Sequence, residues 1–144
     1  MKTVVVSGAR SGVGKTSLAR RICEVLPGAV HVKIGHGRRK PQIGNLYYEK
    51  GTSPEVILEE NAGIPFLVIE SNTVLEDLEP DLVLYIPASG AKPSASLAEG
   101  RADIVIGETV EGRAAELAAS RLGIDPGRAR RIAGAAARAA RRKE

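Results

Sequence analysis

Apolar runs and amphipathic stretches alternate along the chain. Residues 3–7, Thr-Val-Val-Val-Ser, centre on three consecutive valines and predict a buried strand. From Lys15 to Leu26 the period becomes helical: Leu18, Ile22, Cys23 and Leu26 share a face, and Arg20, Arg21 and Glu24 point elsewhere. Pro27-Gly28 ends that helix, and Ala29 to Ile34 predicts a short β-branched second strand. Gly35 to Gly51 is aperiodic and predicts a long irregular loop, of the kind that is usually functional or disordered. Ser53 and Pro54 read as the N-cap and first residue of a helix through Glu60. Pro65 to Glu70 predicts a third strand, with a short helical turn after Asn72 and a fourth strand over Asp81 to Ile86. Pro87 to Gly100 reads as a second Gly/Pro/Ser loop and Ala102 to Gly107 as a fifth strand. Glu111 to Leu122 predicts a helix with Ala115, Leu117, Ala118 and Leu122 inward and Gly123 as its stop, and Pro126 to Lys143 a last helix rich in arginine and alanine.

This order of elements predicts an α/β fold in three layers, a mostly parallel sheet flanked by helices. In such sheets a ligand binds beyond the carboxyl ends of the strands, so the loops after the strands converge on one site. Residues 1–123 read as one domain, and residues 124–144 as a basic helix or tail attached to it.

Composition changes this picture in two places. The only aromatic residues are Phe66, Tyr47, Tyr48 and Tyr85, so the core is expected to be aliphatic. The net charge of +4 is local: from Arg128 onward seven basic residues face one acid, +6, and the rest of the chain carries −2. Alanine favours helix but buries little area, so the tail reads either as a solvated, partly frayed helix or as an arm for nucleic acid or an acidic partner. It has no aromatic residue for base stacking, which argues against sequence-specific RNA binding. Cys23, the single cysteine, reads as a small core residue and excludes an intramolecular disulfide. No apolar run is long enough for a membrane span and the first strand starts without a signal-peptide pattern, so a cytoplasmic location is expected.

The chemistry concentrates in the turn after the first strand, Gly8-Ala-Arg-Ser-Gly12-Val-Gly14-Lys15-Thr16. A strand running through such a turn into a helix is the setting of a phosphate-binding loop. Several backbone N–H groups and the helix N-terminus are then aimed at one anion. In G-x-x-x-x-G-K-[ST] the first glycine would fall at Ala9; here Gly8 lies one residue earlier. Arg10, Ser11, Gly12, Val13, Gly14, Lys15, Thr16 and Ser17 are the candidate nucleotide-binding residues, with Lys15 reaching the β- and γ-phosphates and the Thr16 hydroxyl ligating Mg²⁺. The competing reading is a chance Gly-Lys-Thr at a helix start. A dinucleotide-type G-x-G-x-x-G fails, because Gly14 is followed by Lys15-Thr16-Ser17.

Glu70, which ends an apolar strand, is placed as a Walker B acid would be, holding Mg²⁺ directly or through water. Ser71 and Asn72 add polar groups at that edge. Lys33 ends the second strand and is a candidate to neutralise a γ-phosphate or a second anionic substrate. His36, Arg38, Arg39 and Lys40 read either as a site loop or as a solvated basic loop, and His31, alternating with Val30 and Val32, reads as structural. Tyr47 and Tyr48 stack on a ring or pack the loop. Lys92, after the fourth strand, can cover a base with its aliphatic stem. Between His31 and Tyr48 there is no Asp or Glu to activate water, so slow turnover, or transfer to another acceptor, is as well supported as efficient hydrolysis.

The Gly8-x-x-x-Gly-Val-Gly-Lys-Thr loop resembles that of dethiobiotin synthetase and the cobyrinic acid synthases. It is also similar to the Lys-Gly-Gly-Val-Gly-Lys-Thr loop of the partition and septum-site ATPases, with Arg10 at their signature lysine. Over residues 1–107 the closer likeness is to the accessory protein B family of molybdopterin-guanine dinucleotide biosynthesis. The likeness rests on Lys33 and His36 after strand two, on Leu67-Val68-Ile69-Glu70, and on the strand led by Pro80-Asp81. That family usually has Gly after the glutamate, where this chain has Ser71-Asn72. The metal-chaperone GTPases of hydrogenase and urease also carry a Glu at this strand end. The guanine-reading Asn-Lys-x-Asp is absent, Ala91-Lys92-Pro93-Ser94 standing there, which leaves ATP and GTP both open.

The resemblance implies a P-loop NTPase fold in which the Walker B strand neighbours the P-loop strand. It also implies Mg²⁺ and ATP or GTP as ligands, with Lys15, Lys33 and Glu70 as the catalytic set and Thr16 and Glu70 on the metal. The expected function is a weak NTPase that assists cofactor biosynthesis, with a protein partner or a second copy of the chain as candidate partners. The alternatives are a small-molecule kinase or ATP-dependent synthetase acting on an acidic metabolite, and a non-enzymatic nucleotide-switched binding module.

Overall fold

A computed structural model of the protein describes residues 1–35 and 45–142. The strands are β1 (Lys2–Gly8), β2 (Val30–Gly35), β3 (Leu46–Glu49), β4 (Phe66–Glu70), β5 (Leu82–Ile86) and β6 (Ile104–Val105). The helices are α1 (Lys15–Val25), α2 (Pro54–Glu60), α3 (Ala95–Arg101), α4 (Glu111–Leu122) and α5 (Pro126–Arg142), with a 3-10 turn at Thr73–Glu76. All six strands run parallel in the order β3-β2-β4-β1-β5-β6. The strand ending in Glu70 therefore lies directly beside the strand that leads into the glycine-rich loop, with Val6 opposite Glu70.

The layers follow from the two-residue period of the strands. Val4, Val6, Val68, Leu82 and Leu84 point to one face and pack against α1, α4 and α5, while Val5, Val32, Leu67, Ile69 and Val83 point to the other, against α2, the 3-10 turn and α3. Both faces are thus covered, as an all-parallel sheet requires.

The sequence expectations need correction at several points among the described residues. The 35–51 stretch is not wholly irregular: Leu46–Glu49 pairs with β2 as an edge strand, too short to announce itself by alternation. His36, Arg38, Arg39 and Lys40 lie outside the described residues. The 87–100 stretch holds α3, whose Ala95 and Ala98 are buried. A helix of seven residues with a glycine in it has little local signal. The fifth predicted strand shrinks to Ile104–Val105, because only those residues pair with β5.

The largest correction is the tail. It is not a solvated, frayed helix: Ala129, Ile132, Ala133, Ala135 and Ala136 of α5 are buried in the same cluster as α1 and α4. Small side chains let α5 approach closely, so its alanines bury little area each but collectively seal that face of the sheet. Its arginines Arg128, Arg130, Arg131, Arg138 and Arg141 are exposed. On α4 the buried residues are Ala114, Ala118 and Leu122, with Ala115 and Leu117 only partly covered. Gly123 ends α4 at φ 64, as a left-handed cap. Cys23 is half-buried, and its thiol is pushed up to about 11 by burial and by Glu24. No helix among the described residues is long and apolar enough to cross a membrane.

Candidate functional site

The site is built from the carboxyl ends of β1, β2 and β4 and the first turn of α1. Gly12 and Gly14 have φ of 80 and 101, a region that side chains strain to occupy. Gly8 is required for a different reason: a Cβ there would lie 2.7 Å from Val13 Cγ2 and 3.2 Å from the Lys15 stem. Val13 itself is buried. Among the described residues, none accepts a hydrogen bond from the backbone N–H of Gly12, Val13, Gly14, Lys15 or Thr16. The loop thus leaves a run of free donors at the N-terminus of α1, where the helix dipole also favours an anion.

Beside this loop lies an open cleft of about 1210 Å³. Ser11, Gly12, Gly14, Lys15, Thr16, Ser17, Lys33, Glu70 and Lys92 all line it, so most of the residues singled out from the sequence come together. Arg10 does not line it; its guanidinium donates to the carbonyls of Ser89 and Ser11 at 3.1 and 3.2 Å. Val13 packs away from it. Lys92 reaches back across the loop, its Nζ donating to Ser11 Oγ at 3.3 Å and its backbone N–H to the Ala9 carbonyl at 2.8 Å. Of the tyrosine pair, Tyr47 lies against Gly35, and the Tyr48 hydroxyl donates to Glu60 at 2.8 Å while packing the layer of α2.

Glu70 is the centre of the polar network. The Thr16 hydroxyl lies 2.9 and 2.8 Å from its two carboxylate oxygens. His31 Nε2 lies 3.1 Å from Oε1, and Lys33 Nζ is 3.5 Å from Oε2 and 3.4 Å from Thr16 Oγ1. The carboxylate is only 4% exposed. Burial raises its pKa, but the hydrogen bonds from His31 and Thr16 and the charge of Lys33 more than offset this and hold it below the ordinary glutamate value. Burial also pulls the Lys15 ammonium down; Glu70 opposes that shift, and Lys92 and Lys33 add to it. Four ammonium groups, Lys15, Lys33, Lys50 and Lys92, therefore share one cleft with the buried Glu70 carboxylate, an arrangement that an incoming polyanion relieves.

A pH prediction follows. Because Glu70 is depressed on folding, its contribution to stability is fully present above the unfolded glutamate value and is lost as pH falls through its lower folded value. Glu70→Gln is expected to flatten the acid limb of the stability–pH profile, measured by urea unfolding between neutral pH and the carboxylate range. An acid limb as steep as in the unsubstituted protein would refute this.

At two residues of the site the structure goes beyond the sequence reading. His31 reads from the sequence as structural and is buried, yet it touches Glu70. The signal was the strand alternation itself. His31 and Lys33 flank Val32, so both share the face of Val68 and Glu70 on the neighbouring strand. Asn72 reads from the sequence only as a polar residue at the edge. It closes on Gly8 from both sides: its Oδ1 accepts from the Gly8 N–H at 3.0 Å and its Nδ2 donates to the Gly8 carbonyl at 2.8 Å. This ties the end of β4 to the start of the loop. Asn72→Ala strands two buried backbone groups and is expected to cost about 1–3 kcal/mol, read from the denaturation midpoint. Asn72→Asp, which keeps the acceptor and loses the donor, cannot restore the Gly8 carbonyl's partner. A loss below a few tenths of a kcal/mol for Asn72→Ala would show that water serves Gly8 as well as Asn72 does.

The donor set bears on which cation would suit the site. No cluster of three or more His, Cys, Asp or Glu side chains with metal-holding geometry exists among the described residues. One hydroxyl and one carboxylate, Thr16 and Glu70, are too few for an all-protein cage for Ca²⁺ or Zn²⁺. They do fit Mg²⁺, which keeps several waters and takes its other ligands from substrate phosphates. Compared with known proteins, the chain matches no family model, no curated protein and no solved structure.

Proposed function

We propose that the protein binds a Mg²⁺-nucleoside triphosphate, ATP or GTP, turns it over slowly, and serves as an accessory factor in the biosynthesis of a molybdopterin-type cofactor. The observation that carries the nucleotide reading is the convergence at the loop. Free backbone N–H groups, the Lys15 ammonium and the Thr16–Glu70 pair line one cleft at the carboxyl end of a parallel sheet. In this reading the loop amides and Lys15 hold the β- and γ-phosphates. Thr16 and Glu70 would hold Mg²⁺, which would neutralise charge building on the phosphoryl oxygens. Lys33 would then leave Glu70 for the terminal phosphate. The cofactor-pathway part of the proposal rests on the family resemblance of residues 1–107.

Slow turnover is proposed because among the described residues the acids lining the cleft are Glu70 and Glu76, and Glu70 is already engaged by three partners. A second reading, phosphoryl transfer to an acidic acceptor, draws on the volume of the cleft and on Lys33 and Lys50 along its wall. Calorimetric titration of the full chain with MgATP and MgGTP tests the first reading. Saturable binding that disappears on chelating Mg²⁺ is expected, and no binding of either nucleotide overturns it. Single-turnover hydrolysis with and without a panel of carboxylate metabolites separates the two readings, since only transfer is stimulated by an acceptor.

A further inference from the structure

On the far side of the glycine-rich loop a second cavity, of about 370 Å³, opens between the loop, α1 and α5. Its floor is apolar and buried: Val13 of the loop, Leu18 of α1 and Ala135 of α5. Around that floor stand three guanidinium groups, Arg10, Arg21 and Arg138, from three different elements. No acid lines it among the described residues. No side-chain hydrogen bond or ion pair joins Arg21 or Arg138 to a described residue. Gly12, Gly14 and Ser17 line both this cavity and the larger cleft, so the two meet at the first turn of α1.

From this we infer that the cavity is the base subsite of the nucleotide, that α5 supplies part of it through Arg138, and that it selects a 6-oxopurine over adenine. The inference rests on the phosphate-binding reading above and adds the nucleoside end of the same ligand. A flat ring fits an apolar floor flanked by guanidinium planes, which stack on aromatic faces. The edge of the ring then decides the specificity. A 6-oxopurine offers two neighbouring acceptors, O6 and N7, to which arginine donates in bidentate fashion. Adenine presents N7 beside an amine, and an amine meets only donors from these arginines. Guanine's 2-amino group would find no carboxylate in this lining, so guanine and hypoxanthine are expected to bind alike. The pocket thus gives Arg138 of the last helix a ligand that the phosphate loop does not explain.

The test is calorimetry on the full chain with Mg²⁺ and four probes: GTP, ITP, ATP and inorganic tripolyphosphate. GTP and ITP should agree within about twofold and bind roughly tenfold or more tighter than ATP, the lower range for one bidentate base contact. Arg138→Gln should remove that margin and leave tripolyphosphate affinity unchanged. Arg21→Gln, on a different helix, should do the same and covers the case in which the first variant does not fold. ATP binding as tightly as GTP, GTP exceeding ITP by about tenfold, or equal losses for nucleotide and tripolyphosphate in both variants would each overturn the inference. Failure of tripolyphosphate and every nucleotide to bind would instead overturn the phosphate-binding reading on which it stands.

Discussion

Lys15→Ala is expected to lower the affinity for MgATP and MgGTP by about a hundredfold while leaving the fold as stable as before or slightly more so. The two halves have separate physical causes. A charge-assisted hydrogen bond to phosphate contributes about 1.5–3 kcal/mol, and tenfold in affinity corresponds to about 1.4 kcal/mol. In the ligand-free protein the same ammonium is unfavourable. Burial depresses its pKa, Lys92 and Lys33 repel it, and Glu70 offsets only part of that. A lysine whose pKa is lowered on folding destabilises the folded state wherever it stays protonated. Removing it therefore relieves the apo fold and cripples the complex. Isothermal titration and thermal unfolding of the same preparation measure both. Unchanged nucleotide affinity would mean that the loop is not the site, and a large fall in melting temperature would mean that Lys15 serves the fold.

The second large effect is expected at α5. Ile132 is fully buried against α1 and α4, and Ile132→Ala should cost about 2–5 kcal/mol. The neighbouring exposed Arg130→Ala should change stability by less than about 0.5 kcal/mol. Chemical denaturation reads the difference directly. Equal, small effects would show that the last helix is detached from the core. Deleting residues 126–144 is for the same reason a poor test of the arginine arm, since it strips the cover from one face of the sheet. Charge reversal at the exposed Arg130, Arg131 and Arg141 keeps that cover, and loss of salt-sensitive DNA retention in such a variant would assign them to nucleic acid.

Long, one-signed local patterns carried most of the fold. The strands at 3–7 and 65–70 are built on unbroken apolar runs, Val4 to Val6 and Phe66 to Ile69, and the Ser53-Pro54 start and the Gly123 stop have capping chemistry that needs no tertiary context. Elements with weak local preference give no such signal. β3 exists because β2 offers it a paired edge, and α3 because Ala95 and Ala98 find a surface to cover. The tail misled because alanine counts for little in a hydrophobicity pattern, although it packs closely against a neighbouring helix.

The site divides along the same line. Gly12, Gly14, Lys15 and Thr16 stand in adjacent positions where backbone conformation, a cation and a hydroxyl are set by residue type alone, and the sequence determined them as a unit. It also determined that Glu70 ends an apolar strand. No local pattern places this strand beside the loop strand; the family resemblance implies that neighbour, and the tertiary structure shows it. That placement sets Thr16 Oγ1 within 2.8 Å of Glu70 and brings His31 and Lys33 to the same carboxylate from β2. Strand order is a long-range choice made by which faces can be covered, and no local pattern encodes it. The same holds for Asn72 on Gly8 and for Arg138 beside the loop: each pair is far apart in the chain and adjacent only because the sheet and its helices pack one way.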